Sequence, residues 1–337
     1  MLRTLSRIAA LAQTPSNKLY SSMVSSPTSP ILIAGPTASG KSALAVRLAE
    51  IYGGVVINAD AIQVYAELSI LSARPTPADE ARAPHWLYGY VSASVAYSVG
   101  RYVVDAADAL GRAEAAGLRP IVVGGTGLFF KALLEGLSPI PAIEPGVRAH
   151  WRALAERHGA QWLHTELSTR DPVMAARLAG NDTQRLTRAL EVLDATGRSL
   201  ADWQRQPGSP VLVERDTVRL VLRPERTALL ARCDTRCDLM MAAGAVAEVQ
   251  NLIAAGLGTD LPAMRALGVS PLTAFVRGDV SEAVAVARVK LDTRQYVKRQ
   301  LTWLKRNMLS WNDVQTFDLE RNCRSIKQFI DCCAAAD

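Results

Sequence analysis

Gly35-Pro36-Thr37-Ala38-Ser39-Gly40-Lys41-Ser42 is the stretch that decides the fold. It fits G-x-x-x-x-G-K-S, and its flanks are those such a loop needs. Ile31–Ala34 reads as a short buried strand, and an alanine- and leucine-rich helix runs from about Ser42 to Tyr52. In that setting the glycines let successive backbone N–H groups turn toward one anion, and the helix N-terminus adds its positive end. Lys41 supplies a point charge and Ser42 a hydroxyl for Mg²⁺. Gly35 to Ser42 is therefore a candidate diphosphate or nucleotide cradle. The pattern is specific for phosphate and says little about which phosphate.

Outward from the loop, Val55–Asn58 reads as a second strand and leads to Asp60. A loop marked by Pro75, Pro77 and Pro84 follows, then a helix from about Val99 to Ala116. Pro120–Val123 reads as a third strand, opening into Gly124-Gly125-Thr126-Gly127 and a further helix. Strands alternating with helices predict an α/β fold, a P-loop NTPase-like doubly wound parallel sheet with ligands beyond the carboxyl ends of its strands. A P-loop protein that hydrolyses ATP needs a strand ending in an acid that holds the metal. The strand before Gly124 ends without one. Asp60 is the candidate acid, and a carboxylate beside the cradle suits transfer to a bound acceptor better than hydrolysis.

Pro139, Pro141 and Pro145 mark a linker, after which helical patterns at about 146–159, 171–179 and 182–196 predict a helical insertion domain over 138–208. The core then comprises 30–137 and 209–312, with a returning strand at Val218–Leu222 and helices at about 225–256 and 281–309. Residues 313–337 read as a C-terminal tail. Residues 1–29 stand apart as a disordered or leader segment. They carry Arg3, Arg7 and Lys18, no acid and many serines, a transit-peptide composition with Met23 as an alternative start.

Apolar residues make up 49% of the chain and charged residues 21%, as in ordinary globular proteins. No apolar run approaches the roughly 18–20 residues that cross a bilayer. The five cysteines form no zinc pattern and read as reduced thiols. Cytoplasm is the expected compartment, or mitochondria if residues 1–22 are a transit peptide. The net charge of +6 is matched by one segment alone. Arg288, Lys290, Arg294, Lys298, Arg299, Lys305 and Arg306 face a single acid, Asp292. Val297, Leu301, Leu304 and Met308 recur at helical spacing as the buried stripe, with Tyr296 and Trp303 among the basic flanks. Such a helix suits a nucleic-acid backbone.

Several runs follow one another in a recognisable order: Gly35–Ser42, Asn58-Ala59-Asp60-Ala61-Ile62-Gln63-Val64-Tyr65, Ala83-Pro84-His85, Tyr97-Ser98 and Val122–Leu128. Asn181–Val192, with its Gln-Arg-Leu-x-Arg-Ala core, and Thr293–Trp303, with Thr-Arg-Gln and Lys-Arg-Gln-x-Thr-Trp, complete the series. In this order the chain resembles the tRNA dimethylallyltransferases over about residues 31–310. The resemblance implies Mg²⁺-assisted transfer of dimethylallyl from dimethylallyl diphosphate to N6 of the adenosine just 3′ of the anticodon, in tRNAs reading codons that begin with U. It implies that Gly35–Ser42 hold the donor's diphosphate, with Ser42 on the metal, and that the partner is a tRNA anticodon stem-loop. Asp60 matches the family's acid, Thr126 a threonine near the reacting diphosphate, and Arg236 an arginine at the leaving group. Asp60, Ala61, Ile62 and Gln63, then Arg148, then Gln184, Arg185, Leu186, Thr187 and Arg188 match stretches that contact tRNA. So do Arg265 and Gly268, and Lys298, Arg299, Gln300, Thr302, Trp303 and Lys305. The pattern departs at Ala61, where the family commonly has Ser, at Val269, where it has Tyr, and at Ser69–Pro75, which replaces Asp-Ile-Gly-Thr-Ala-Lys-Pro. A monomer without membrane contact is expected.

The chemistry agrees with this resemblance. An adenine exocyclic amine is a poor nucleophile, and a carboxylate taking its proton helps by about 10²–10⁴-fold. A base stacked in an anticodon loop must leave the stack to reach such a site. Two other readings compete: a small-molecule kinase using the loop for ATP, and an RNA-binding protein without catalysis. The basic helix and the lack of an ATP-lid arginine pattern count against the first. The joint presence of Lys41, Asp60 and Thr126 counts against the second.

Overall fold

The structure, a computed structural model, describes residues 29–334. The leader reading of residues 1–28 lies outside them. The chain forms two compact units, one of Glu135–Pro210 and one of the residues before and after it.

The larger unit is built on six parallel strands, lying side by side in the order His85–Trp86, Gly54–Asn58, Arg119–Gly124, Ile31–Ala34, Val218–Leu222 and Asn312–Val314. In chain order it begins with β1 (Ile31–Ala34), α1 (Lys41–Tyr52) and β2 (Gly54–Asn58). The proline-marked loop holds two short elements, α2 (Pro77–Glu80) and β3 (His85–Trp86), the first fixed by a reciprocal Thr76–Asp79 cap. Then come α3 (Val99–Ala115), β4 (Arg119–Gly124) and α4 (Gly127–Glu135). Every residue of β1, β2 and β4 is buried, as the apolar runs require when helices cover both faces. Period-2 alternation sorts the side chains. Ile31, Ile33, Val56, Ile121 and Val123 pack on one face with Leu44, Leu48 and Ile326. Leu32, Val55, Ile57 and Val122 pack on the other with Tyr102, Phe129, Phe130 and Leu304.

The smaller unit is helical: α5 (Pro145–Arg170), α6 (Pro172–Ala175), α7 (Thr183–Thr196) and α8 (Leu200–Trp203). Gly159 at φ 76° kinks α5, and the helix expected at 171–179 is confined to the α6 turn. Asp182 caps α7 by accepting from Arg185 N–H. Trp151, Leu163, Leu167, Leu186 and Leu190 form the unit's own core.

The chain re-enters the sheet at β5 (Val218–Leu222) and continues through α9 (Arg226–Ala242), α10 (Ala245–Ala254), α11 (Val269–Val276) and α12 (Glu282–Asn307). The single helix expected over 225–256 is broken at Gly244, whose φ of 103° lies in the region glycine favours. The last residues correct the tail reading. β6 (Asn312–Val314) pairs with β5, and α13 (Leu319–Ala334) sets Cys323, Ile326 and Ile330 into the core beside α1. Their i, i+3, i+7 spacing is a helical stripe, masked in sequence by Arg321, Arg324 and Lys327 around it. Among the described residues no helix is long and apolar enough to cross a membrane.

β4 lies between β1 and β2 although it follows both in sequence, so its C-terminal glycines enter a crowded place. A Cβ on Gly124 would lie 2.0 Å from the Ala59 carbonyl oxygen, a backbone atom that cannot swing aside. Gly124→Ala is expected to cost about 2–3 kcal/mol through overpacking, lowering the melting midpoint by about 3–6 °C. A thermal melt followed by circular dichroism reads this directly.

Candidate active site

The site is assembled where β1, β4 and β2 end side by side. Gly35 N–H donates to the Gly124 carbonyl at 3.3 Å, and Ala59 N–H to the Val123 carbonyl at 2.8 Å. The three strand ends are thus stitched into one rim, carrying respectively the phosphate loop, the Gly124–Thr126 turn and Asp60.

Within the loop, Gly40 at φ 88° and Ala38 at φ 61° are left-handed, which turns backbone N–H groups inward. Arg232 Nε donates to the Ala38 carbonyl at 3.2 Å and holds that turn from outside. Lys41 opens α1 and donates from Nζ to the Pro36 carbonyl at 3.3 Å. Burial pushes its ammonium down to about 8; nearby Asp60 opposes the shift and Arg236 adds to it. Arg236, on α9, donates to Thr37 Oγ1. Burial lowers its pKa too, while Cys233 and Asp60 act in the opposite sense. An arginine remains cationic under such a shift.

Asp60 is held by its neighbours rather than left on a solvated loop. Asn58 Oδ1 accepts from Asp60 N–H at 2.8 Å, and Asn58 Nδ2 donates to the Asp60 and Leu87 carbonyls at 2.9 and 3.0 Å. Asp60 Oδ1 accepts from Ile62 N–H at 3.0 Å. Oδ2 has no hydrogen-bond partner among the described residues and faces the turn, 3.3 Å from where a Cβ on Gly125 would stand. Thr126 N–H donates to the Ala59 carbonyl, and Thr126 Oγ1 accepts from Ala61 N–H at 3.0 Å. The threonine therefore braces the backbone next to the carboxylate. Burial raises the phenols of Tyr88 and Tyr296, and the negative charge of Asp60 raises them further. Both stay neutral and line the carboxylate's surroundings.

Gln300 and Trp303, on α12, close the rim. Gln300 is buried and bonds the loop and the turn at once. Trp303 packs so tightly on Gly127 that a Cβ there would lie 2.1 Å from the ring. Ala61, Ile62 and Gln63 sit on the turn after Asp60, half-buried. Gln63 Nε2 donates to the Ser72 and Ala73 carbonyls at 3.0 and 2.9 Å. The loop that departs from the family pattern is anchored by buried Glu248, which accepts from the Ser69, Ile70 and Leu71 N–H groups. Gly268, at φ 92°, presses on Leu71, and Arg265 is exposed beside it.

Charge on α12 is less uniform than the sequence suggests. Arg288 pairs with Asp292, Lys290 with Asp238 of α9 at 2.6 Å, and Arg294 with Asp234. Lys298, Arg299, Lys305 and Arg306 are exposed with no ion pair among the described residues, so the cationic face is the C-terminal half of the helix. Lys298→Ala is expected to weaken binding of the tRNA that the resemblance implies and to reduce the slope of log K against log salt by about one unit, while Arg288→Ala leaves that slope unchanged. Binding titrations across a salt series give both slopes.

The predicted residues thus divide. The phosphate loop, Asp60, Thr126 and Arg236 come together in the larger unit. Arg148, Gln184 and Arg185 are exposed on the helical unit, and Arg188 pairs with Glu191 there. Leu186 is buried in that unit's core, and Thr187 is buried beside it in sequence. Gln300, grouped in sequence with tRNA contacts, is likewise buried. Asn58, Tyr88 and the bracing role of Gln300 went unread. An Asn two residues before an acid is a turn signal that could have flagged Asn58; Tyr88 had no local signal.

Comparison with known proteins follows this geometry. The family described as IPP transferase matches residues 63–307, and the one described as isopentenyl transferase matches residues 29–87. The chain is 52% identical over 281 residues to a tRNA dimethylallyltransferase of Azorhizobium caulinodans, covering 83% of this chain and 90% of that one. It is 53% identical over 278 residues to one of Rhodopseudomonas palustris, covering 82% and 88%. Among solved structures it is similar to the full-length tRNA isopentenylpyrophosphate transferase of Bacillus halodurans, with TM-score 0.65, 29% identity and coverage of 91% and 98%. It is also similar to a eukaryotic dimethylallyltransferase acting on tRNA, with TM-score 0.76, 25% identity and coverage of 90% and 79%.

Proposed function

Because the chain belongs to the tRNA dimethylallyltransferase family, whose matching family description is IPP transferase, we propose that it moves a dimethylallyl group from dimethylallyl diphosphate to N6 of the adenosine on the 3′ side of the anticodon, in tRNAs reading codons that begin with U. The observation that carries this reading is the free Oδ2 of Asp60 on the same rim as the cradle and its cations Lys41 and Arg236. A base and an anion site side by side fit transfer between two bound partners. The kinase alternative is set aside, since the family and the relatives matched are prenyl transferases.

In the reaction the C1–O bond to the diphosphate breaks and the N6–C1 bond forms. The N6 proton passes to Asp60, and the electron pair leaves with the diphosphate. Lys41, Arg236 and the inward N–H groups of the loop take up the charge growing on the leaving oxygen. Thr126 and Asn58 hold the Asp60 turn, so the carboxylate meets the amine without first reorganising.

Among the described residues no group of three or more His, Cys, Asp or Glu could cage a metal. That fits Mg²⁺, which keeps several waters and binds through one or two protein oxygens plus phosphates. The exposed Ser42 hydroxyl is the protein oxygen that would hold it, with the donor's phosphates and waters completing its shell. When bound, the ion neutralises diphosphate charge. The experiment is direct: unmodified tRNA, labelled dimethylallyl diphosphate, Mg²⁺ and protein should give labelled tRNA. No label in tRNA, with γ-phosphate from ATP appearing on a metabolite, would overturn the reading.

A further inference from the structure

We propose that Gln300 is a positioning residue of the transfer: its amide locks the phosphate loop to the Gly124–Gly125 turn and so fixes where a bound diphosphate stands relative to Asp60. The inference rests on the prenyl-transfer reading above. Gln300 projects from α12 and is only 7% exposed. Its Oε1 accepts from Thr37 N–H at 3.0 Å and its Nε2 donates to the Gly125 carbonyl at 3.0 Å. One side chain thus pairs the end of β1 with the end of β4. The seat is tight, for a Cβ on residue 125 would lie 2.4 Å from Nε2.

Residue 37 is gripped elsewhere as well. Arg236 donates to its hydroxyl, and Cys233 Sγ lies 3.9 Å from its carbonyl oxygen. With Thr37 N–H taken by Gln300, the amides left for phosphate are those further along the loop. On the other side of the clamp, the turn continues into Thr126, whose hydroxyl braces Ala61 N–H beside Asp60. Loop, clamp, turn and base form one connected series.

The identity of the side chain matters because the two partners are of opposite kinds. Thr37 presents a donor and Gly125 an acceptor, so the clamp needs one acceptor and one donor at that reach. Methionine offers no donor and only a weakly accepting sulfur. Glutamate satisfies Thr37 but sets a carboxylate against the Gly125 carbonyl until it is protonated.

Gln300→Met and Gln300→Glu test this in the label-transfer assay, with kcat and KM for both substrates, thermal melts, and amide exchange over residues 35–42. Both variants should lose about 10–100-fold in kcat with the KM for tRNA within about threefold, and exchange in the loop should quicken. Burial raises a carboxyl pKa, so the activity of Gln300→Glu relative to wild type should climb as pH falls from about 8 to about 6, while the Gln300→Met ratio stays flat. Wild-type kcat in either variant, a defect confined to the KM for tRNA, or a flat Gln300→Glu ratio would each overturn the proposal. Should Gln300→Met not fold, the Gln300→Glu profile and exchange decide. A wild type that transfers no label sinks the functional reading instead, and the clamp is then judged on exchange alone, where unchanged loop protection in Gln300→Glu refutes it.

Discussion

Asp60→Asn is expected to slow transfer by about 10²–10⁴-fold, the range a positioned general base contributes, with donor binding unchanged or slightly tighter. The substitution is a clean one in this site. Asn keeps an oxygen to accept from Ile62 N–H, and the Asn58 bonds to the Asp60 backbone do not involve the carboxylate. What is lost is the basic Oδ2 that faces the Gly125 turn. Removing a negative charge near Lys41 and Arg236 leaves more positive field for the diphosphate, hence the donor prediction. Single-turnover transfer at saturating tRNA, alongside calorimetric donor titration, separates the two effects. A variant with near-native transfer rate would remove Asp60 from the role of base. Asp60→Ala should be worse, since it also unpins the turn.

Lys41→Met is expected to lower kcat/KM by about 10²–10³-fold, the cost of one charge-stabilising donor at a reacting centre, and yet to raise the melting midpoint of the unliganded protein. Burial is the main reason the Lys41 pKa falls from 10.5 to about 8, so the folded chain resists holding that proton. Between those two values the unfolded chain binds more protons than the folded one, and stability rises with pH across that window. Below about pH 8 the folded state carries the full cost of a buried ammonium, which methionine removes. The stabilising effect should therefore be largest at neutral pH and shrink as pH approaches 10.5. The same shift has a consequence for binding. A diphosphate favours the charged lysine, so donor affinity of the wild type should fall as pH rises above about 8, and binding there should take up a proton. Lys41→Met should bind weakly with no such fall. Titrations in two buffers of different ionisation enthalpy would measure the proton uptake, and its absence would show that Lys41 does not meet the donor.

Several features of the fold and the site are legible along the chain. The loop from Gly35 to Ser42, the strand before it and the helix after it are local patterns, and so is the acid placed just beyond the second strand. Each depends on residues within a few positions of one another, where periodicity and turn chemistry act directly. The runs at Asn181–Val192 and Thr293–Trp303 were enough to indicate the family by order and spacing. The amphipathic stripe of α12 was legible for the same reason.

Contacts across long separations were not. That Gln300 closes on Thr37, 263 residues earlier, follows from where α12 packs once the sheet has formed. The neutralisation of Arg294 by Asp234 depends on the same packing, and no count of charges along one helix reveals it. Likewise, β4 enters between β1 and β2, so the Gly124 turn and Asp60 become neighbours through strand order rather than sequence order. Local patterning selects the elements because it acts through backbone preference and one-sided burial. The pairing of their polar side chains is settled only when the core brings distant strand ends and helix faces within hydrogen-bonding distance, and in this protein that step completes the site.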